Sequence, residues 1–398
     1  MSKKKTPAIR FKGFTDDWEQ YKFEQLYKKI NVKNDLSYTE QDIISVANMY
    51  YKTDTYISNK EYLKTYNVFK IGDIAFEGNK NKNFTHGRFV ANTIGPGIIS
   101  HVFDVFTPIM DYDLCFWKYA INNELIMRDI LIRSTKSSTM MTNLVANDFM
   151  EEKMLVPCVP EQKQIGQTLQ CIDNLITLHQ RKCEKLKIFK KAMLEKMFPK
   201  NNKKIPEVRF KGFTDAWEQE QLGKLCEIYD GTHQTPKYTE SGVMFLSVEN
   251  IGKLKSNKFI SEQDYKKNFK VFPEYGDVFM TRIGDIGTAN VLQERQPIAY
   301  YVSLALLKPL YLDSFFLNEC INSPSVKKEL WHRTLHIAFP KKINKNEISK
   351  VLITYPTIIE QKKIGQYFKA LDNLITLHQR KVEKLQIIKK SMLEKMFV

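Results

Sequence analysis

Long apolar runs are what this 398-residue sequence most plainly lacks. Its most hydrophobic stretches, such as VSLALL at residues 302–307, are far too short to cross a bilayer. The opening MSKKKTPAIRFKGF is basic but has no apolar core behind the charges, so it does not read as a secretory signal. A cytoplasmic chain is the expectation. Cysteine is sparse, and Cys115, Cys158, Cys171, Cys183, Cys226 and Cys320 form no C-x-x-C pair, which argues against a zinc ribbon or a redox motif. Acidic residues are in deficit: 45 Asp and Glu face 61 Lys and Arg, leaving a formal net charge of +16. An imbalance of that size favours a polyanionic partner such as nucleic acid, while a lysine-rich solvated surface gives the same sum.

Catalytic signatures are missing as well. There is no G-x-x-x-x-G-K-[ST] phosphate loop, no G-x-G-x-x-G after a strand and no H-E-x-x-H. Neither an Asn/Asp-Pro-Pro-aromatic segment of the amino-methyltransferase type nor a P-D…E-x-K nuclease cluster is found. Glu161-Gln162-Lys163 is a nuclease-like fragment, but at a helix start its carboxylate is explained by the helix dipole. IGDIGT at 283–288 reads as a strand-linking turn, and His332 and His336, spaced i,i+4 on a candidate helix, have no carboxylate to complete a metal site. No catalytic residue, metal or cofactor is assigned to this chain, which reads as a binder.

What is there is a duplication. RFKGFTDDWEQ at 10–20 returns as RFKGFTDAWEQ at 209–219, and residues 161–198 return as 360–397 with 28 of 38 positions identical. The offset is 209 − 10 = 360 − 161 = 199 residues, half the chain. Residues 21–160 and 220–359, by contrast, share only landmarks such as Gly72-Asp73-Ile74 and Gly276-Asp277-Val278, and the β-like runs IISVANM (43–49) and VMFLSVENI (243–251). Shared frames hold two divergent inserts.

Each 38-residue repeat predicts one long helix. A 4-3 spacing runs through Ile165, Leu169, Ile172, Ile176, His179, Cys183, Leu186, Lys190, Met193 and Met197. The second copy gives Ile364, Phe368, Leu371, Ile375, His378, Val382, Leu385, Lys389, Met392 and Met396. Pro160 and Pro199 punctuate the first. The boundaries read as a domain over 1–160 (repeat frame 7–20), a helix over 161–198, a linker over 199–205, a domain over 206–359 (frame 206–219) and a helix over 360–398. The fold class is α+β: two globular mixed domains separated by two long antiparallel, coiled-coil helices with an internal pseudo-twofold repeat. The decapeptide DNLITLHQRK (173–182 and 372–381) straddles each helix midpoint, where His179 and His378 break the apolar stripe and are expected to fix register. At 1.5 Å per residue such a rod is roughly 55 Å long, about 16 base pairs of duplex, and acts as a ruler.

Basic, amide- and hydroxyl-rich loops lie in the inserts. In the first, Asn79, Lys80, Lys82 and Arg88 belong to GNKNKNFTHGRF, and Arg133, Lys136, Ser137 and Ser138 to RSTKSSTM. In the second, Thr232, His233, Gln234 and Lys237 belong to GTHQTPK, Arg282 to TRIGDIG, and Arg333, His336, Lys341 and Lys342 to HRTLHIAFPKKINKN. Asn and Gln suit adenine, Arg and Lys suit guanine or phosphate, so these are candidate DNA contacts.

The whole pattern resembles the specificity subunit of a type I DNA restriction-modification system. The resemblance rests on two helical repeats entered through Pro157…Glu161-Gln162…Ile165 and Pro356…Glu360-Gln361…Ile364, behind two divergent domains. GTHQTPKYTESG, TRIGDIGTA and AYYVS in the second insert add to it; the first insert lacks the Thr-Pro-Lys-Tyr element, and its extra Pro160 alters the start of its helix. The resemblance implies a non-catalytic subunit whose two domains are target-recognition domains, each reading one half of a split, asymmetric site in double-stranded DNA. It implies two methyltransferase subunits that use S-adenosylmethionine to methylate adenine at N6, and two restriction subunits that use ATP and Mg. Rival readings are a coiled-coil scaffold with two interaction domains and no DNA role, the DNA-reading part of another restriction system, and a self-sufficient nuclease or methyltransferase.

Overall fold

The computed structural model describes residues 6–53, 55, 57–137, 141–200 and 203–398. The chain forms two compact units, Met1–His179 with Arg380–Val398, and Gln180–Gln379. Each unit is built on one antiparallel four-stranded sheet.

In the first unit the strand order is Tyr27–Ile30, Val105–Pro108, Ile74–Glu77, Arg88–Ala91. All four residues of Ile74–Glu77 are buried, so both faces of the sheet are covered. Side chains alternate across a strand, and here Ile74 and Phe76 pack with Trp117, Met127 and Leu131 of the helices Leu114–Ala120 and Glu124–Ser134. Ala75 faces the other way, into a smaller core with Ile44, Val46, Phe69, Ile99 and Val105.

The second unit repeats the plan with different residues. Its sheet runs Cys226–Asp230, Leu304–Pro309, Val278–Ile283, Asp285–Val291, again all antiparallel. Val278 and Met280 face the helices Ser314–Asn322 and Pro324–His332, while Phe279 joins Phe245, Leu246 and Tyr300 on the other face. The Gly-Asp landmarks now have a cause. Gly72 and Gly276 take φ of 90° and 96° in the turn before the central strand, a conformation that favours glycine. The buried Asp73 and Asp277 accept the amides of Lys70 and Glu274 at 2.7 and 2.8 Å. Each also ties down the neighbouring strand, through Thr107 Oγ1 at 2.7 Å and Lys308 Nζ at 2.9 Å. Burial pushes both carboxyls above the ordinary aspartate range.

The β-like runs are shorter than expected. Only Ile44–Ser45 of IISVANM is a strand, and VMFLSVENI is a strand over Val243–Leu246 that gives way to a 3-10 turn at Val248–Asn250. Ser247 breaks the strand because the side-chain oxygen of Asn250 takes its amide at 2.9 Å.

The repeated segments form the long helices Val159–Lys196 and Ile358–Lys395, 38 residues each. Both cover the same repeat positions, since 358 − 159 = 395 − 196 = 199. Pro160 therefore lies inside the first turn and leaves the helix start unchanged, because an early helical position has no intrahelical amide bond to lose. Within the first unit, Met392, Leu393 and Met396 pack with Ile165 and Leu169, and Lys389 reaches Asp173 at 2.7 Å, so the two helical segments run antiparallel there. Within the second unit, Met193 and Met197 pack with Ile364 and Phe368, and Lys190 reaches Asp372 at 2.7 Å, again antiparallel.

The frame sequences lock each unit together. Arg10 donates Nε and Nη2 to Glu161 at 2.7 and 2.8 Å, and Arg209 does the same to Glu360 at 2.8 Å. Both glutamates are at most 1% exposed, so the carboxylate attributed above to the helix dipole is chiefly the partner of an arginine 151 residues earlier. Gln162 and Gln361 then bridge the proline carbonyl before the helix to the amide of Asp113 or Asp313. A Cβ on Gly166 or Gly365 would fall 2.5 Å from the Phe116 nitrogen or 2.6 Å from an Asp313 carboxylate oxygen, which explains the glycine after Ile165 and Ile364.

Candidate nucleic-acid interface

Loops leaving the sheet of each unit meet over the strand pair that ends its order. In the first unit the turn between Ile74–Glu77 and Arg88–Ala91 is crossed by the hairpin Thr135–Ser137/Thr142–Leu144. The Thr142 amide donates to the Gly78 carbonyl at 2.8 Å and its hydroxyl to the His86 carbonyl at 2.9 Å. A Cβ on Gly78 would meet the Thr142 carbonyl at 2.1 Å, so only glycine permits that crossing. Residues 133–137 of RSTKSSTM are thus the end of a helix and one strand of a hairpin, and Ser138, with the two residues after it, lies outside the described residues.

Asn79, Lys82 and Lys136 are exposed there, and Lys80 is half-buried. The backbone of Ser137 belongs to the hairpin strand. Arg88 is turned inward: it bonds the buried Glu77 at 3.3 Å and the Ala47 carbonyl at 2.6 Å, and its guanidinium lies 4.9 Å from the centre of the Phe84 ring. Arg133 is exposed but grips Glu152 through two bonds of 2.7 and 2.6 Å, which raises its pKa.

The second unit has the corresponding crossing. The Gly284 amide, in the IGDIG turn, donates to the Lys341 carbonyl at 2.8 Å, and the Ile343 amide to the Arg282 carbonyl at 3.0 Å. Arg282 is buried, donates to the Ile343 carbonyl at 3.1 Å and forms an ion pair with Asp230. It ties together the bases of three loops and is not offered to a ligand, so its candidacy as a base contact gives way to a positioning role. Thr232 is half-buried, with its amide on the Tyr300 carbonyl, whereas His233, Gln234 and Lys237 are exposed on the following turn.

His336 and Lys342 are exposed, and Lys341 lies 4.4 Å from the centre of the Trp331 ring. Arg333 is engaged by Glu329 at 2.9 Å and Glu347 at 3.4 Å. The helix ends at His332, so His332 and His336 do not share a helical face. Among the described residues no group of three or more His, Cys, Asp or Glu is placed to hold a metal, and no helix is long and apolar enough to cross a membrane.

All four candidate arginines therefore have carboxylate partners, while the exposed candidates are mainly lysines, amides and histidines. Exposed pairs such as Arg133–Glu152 are worth only about 0–1 kcal/mol and can be exchanged for a phosphate, but Arg282 is committed. Sequence reasoning missed the polar pairs inside the helical seam. Lys190 and Lys389 occupy apolar-stripe positions, and each meets the Asp that opens the repeated decapeptide. The domain adds a third member, Glu319 on Lys190 at 3.1 Å in the second unit and the Tyr119 hydroxyl on Asp173 at 2.7 Å in the first. A lysine breaking an apolar stripe at the same place in both copies was the available signal.

Each unit thus combines an antiparallel sheet, antiparallel long-helix segments and loops gathered over one end of the sheet, and this fold is similar to that of solved type I restriction-modification S subunits. Residues 214–386 match the family described as type I restriction modification DNA specificity domain. The chain is similar to the type I restriction enzyme MjaVIII specificity subunit of Methanocaldococcus jannaschii, 25% identical over 284 residues that cover 68% of this chain and 67% of that one. It is also similar to the putative type I restriction enzyme MjaX specificity subunit of the same organism, 26% identical over 252 residues, covering 61% of this chain and 57% of that one. In fold it matches the crystal structure of a type I restriction-modification system S subunit from M. genitalium, with a TM-score of 0.60, 13% identity and 99% of each chain covered. A chain from a study of complex assembly and conformational transition of the type I R-M system matches with a TM-score of 0.53 and 16% identity over 96% of this chain and 97% of that one.

Proposed function

We propose that this chain chooses the DNA sequence for a type I restriction-modification complex. Each unit reads one half of a bipartite, asymmetric site in double-stranded DNA, and helix length sets the spacer between halves. Partner subunits, two for methylation and two for restriction, carry the chemistry: N6 methylation of adenine from S-adenosylmethionine, or cleavage driven by ATP with Mg. The observation that carries the reading is that one sheet-and-loop plan occurs twice with different exposed side chains. Asn79, Lys80, Lys82, Arg133, Lys136, Ser137 and Ser138 are the proposed contacts of the first unit. Thr232, His233, Gln234, Lys237, Arg333, His336, Lys341 and Lys342 are those of the second. Lysines supply phosphate contacts and the amides of Asn79 and Gln234 supply base-edge bonds.

The experiment is selection from a random duplex library, followed by affinity measurements across salt. A two-part consensus and a steep loss of affinity with salt are the expected results. A coiled-coil scaffold without a DNA role predicts no enrichment and no salt slope.

A further inference from the structure

One surface loop of the second unit presents apolar side chains to solvent. Ile337 is 98% exposed and Phe339 104% exposed, whereas Thr334 and Ile343 at the base of the same loop are buried. The base is pinned by the Leu335 amide on the Lys342 carbonyl at 2.8 Å, with the Gly284 amide on Lys341 and Ile343 on Arg282 beside it. A supported loop that holds an aromatic ring in water forgoes the burial that apolar side chains ordinarily gain on folding.

Basic residues flank that tip in the chain. His332, His336 and Lys342 are exposed, and Lys341 stands over Trp331, itself 46% exposed, with the His336 ring 4.7 Å from the Trp331 ring. The nearby carboxylates Glu329 and Glu347 are already paired with Arg333, and Asp285 is the exposed acid of the adjoining turn. An apolar point beside Lys341 and Lys342 is complementary to stacked bases between two rows of phosphates. A purely apolar protein groove would match the tip but not the lysines.

We infer that Phe339, backed by Ile337, is a wedge that enters between two stacked base pairs of the half-site read by this unit. Lys341 and Lys342 hold the flanking phosphates while the ring unstacks the step, as apolar wedges do in architectural DNA-binding proteins. The inference rests on the DNA-reading function proposed above and adds a physical act to it: the unit deforms its half-site and selects sequences whose base step opens cheaply.

The test places 2-aminopurine at successive positions of a duplex selected by the full chain and reads its emission on binding. A severalfold rise at one step, lost in Phe339→Ala and kept in Phe339→Leu while both variants still bind the duplex, is the expected result. Bound duplex with flat emission at every step overturns the wedge and leaves the DNA-reading function standing. Unchanged emission in Phe339→Ala also overturns it. Failure to select any duplex removes the function beneath it. Loss of the methyltransferase subunit from Phe339→Ala complexes, with emission unaffected, would make the tip a protein contact and overturn the inference.

Discussion

Replacing Arg10 by Met removes both donors that the Arg10 guanidinium gives to Glu161, at 2.7 and 2.8 Å, and leaves a carboxylate with 0% of its side chain exposed. Breaking a buried pair from one side costs about 3–5 kcal/mol, because the remaining charge has no compensation. An exposed pair costs about 0–1 kcal/mol. Arg10 itself is 15% exposed, which puts the pair near the buried limit. The Arg10→Met, Glu161→Gln double variant removes the stranded charge, so most of the loss should return. Arg209→Met, at the copy of this pair in the second unit, is the internal control and should show a loss of similar size there.

Because a chain with two compact units need not unfold in one step, the readout is hydrogen exchange resolved by peptide. Arg10→Met should speed exchange in the paired strands Glu19–Lys22 and Lys153–Val156 and leave Glu218–Gln221 and Leu352–Tyr355 at their wild-type rates. A local change below about 1 kcal/mol, or a double variant no better than the single, would refute the assignment of this pair as a buried lock.

Burial raises the Glu319 carboxyl, with Lys190 opposing the shift and Asp372 adding to it. A folded-state pKa above the unfolded value contributes stability that is full below the unfolded pKa and is lost as pH rises through the folded one. Glu319→Gln should therefore gain stability relative to wild type as pH rises from about 4.5; parallel stability curves between pH 4.5 and 8 would remove that reading. Lys82→Ala and Lys342→Ala, one exposed lysine in each unit, should each reduce the slope of log affinity against log salt by about one and weaken all sequences alike. Deleting one heptad equally from both long helices should shift or abolish the preferred spacer, and an unchanged spacer in a selected-duplex consensus would contradict the ruler.

The frames and helices could be read directly because their signal is long and written twice. A 4-3 apolar spacing sustained over both helices leaves few alternatives, and the identical bounds of the two helices match the 199-residue offset. The sheet order was not legible: its strands are four to seven residues long, and the inserts share few residues to align. Gly72-Asp73 and Gly276-Asp277 survived divergence because a positive-φ turn and a buried acceptor leave little choice of residue. Arginines misled the site reading, since residue type suits guanine but only three-dimensional structure shows Arg282 held by Asp230 and Arg88 by Glu77. Phe339 was passed over within a loop noted for its lysines, because exposure cannot be read from a short apolar run.

The central claim is that each unit chooses one half of a split site, independently of the other. Exchanging residues 21–160 for the corresponding insert of a type I specificity subunit, co-expressed with the proposed methyltransferase partner, and mapping N6-methyladenine across the genome tests it most directly. One half-site should change while the other half and the spacer stay fixed. Altered bases in both halves, or methylation that remains on the original full site, would contradict the account.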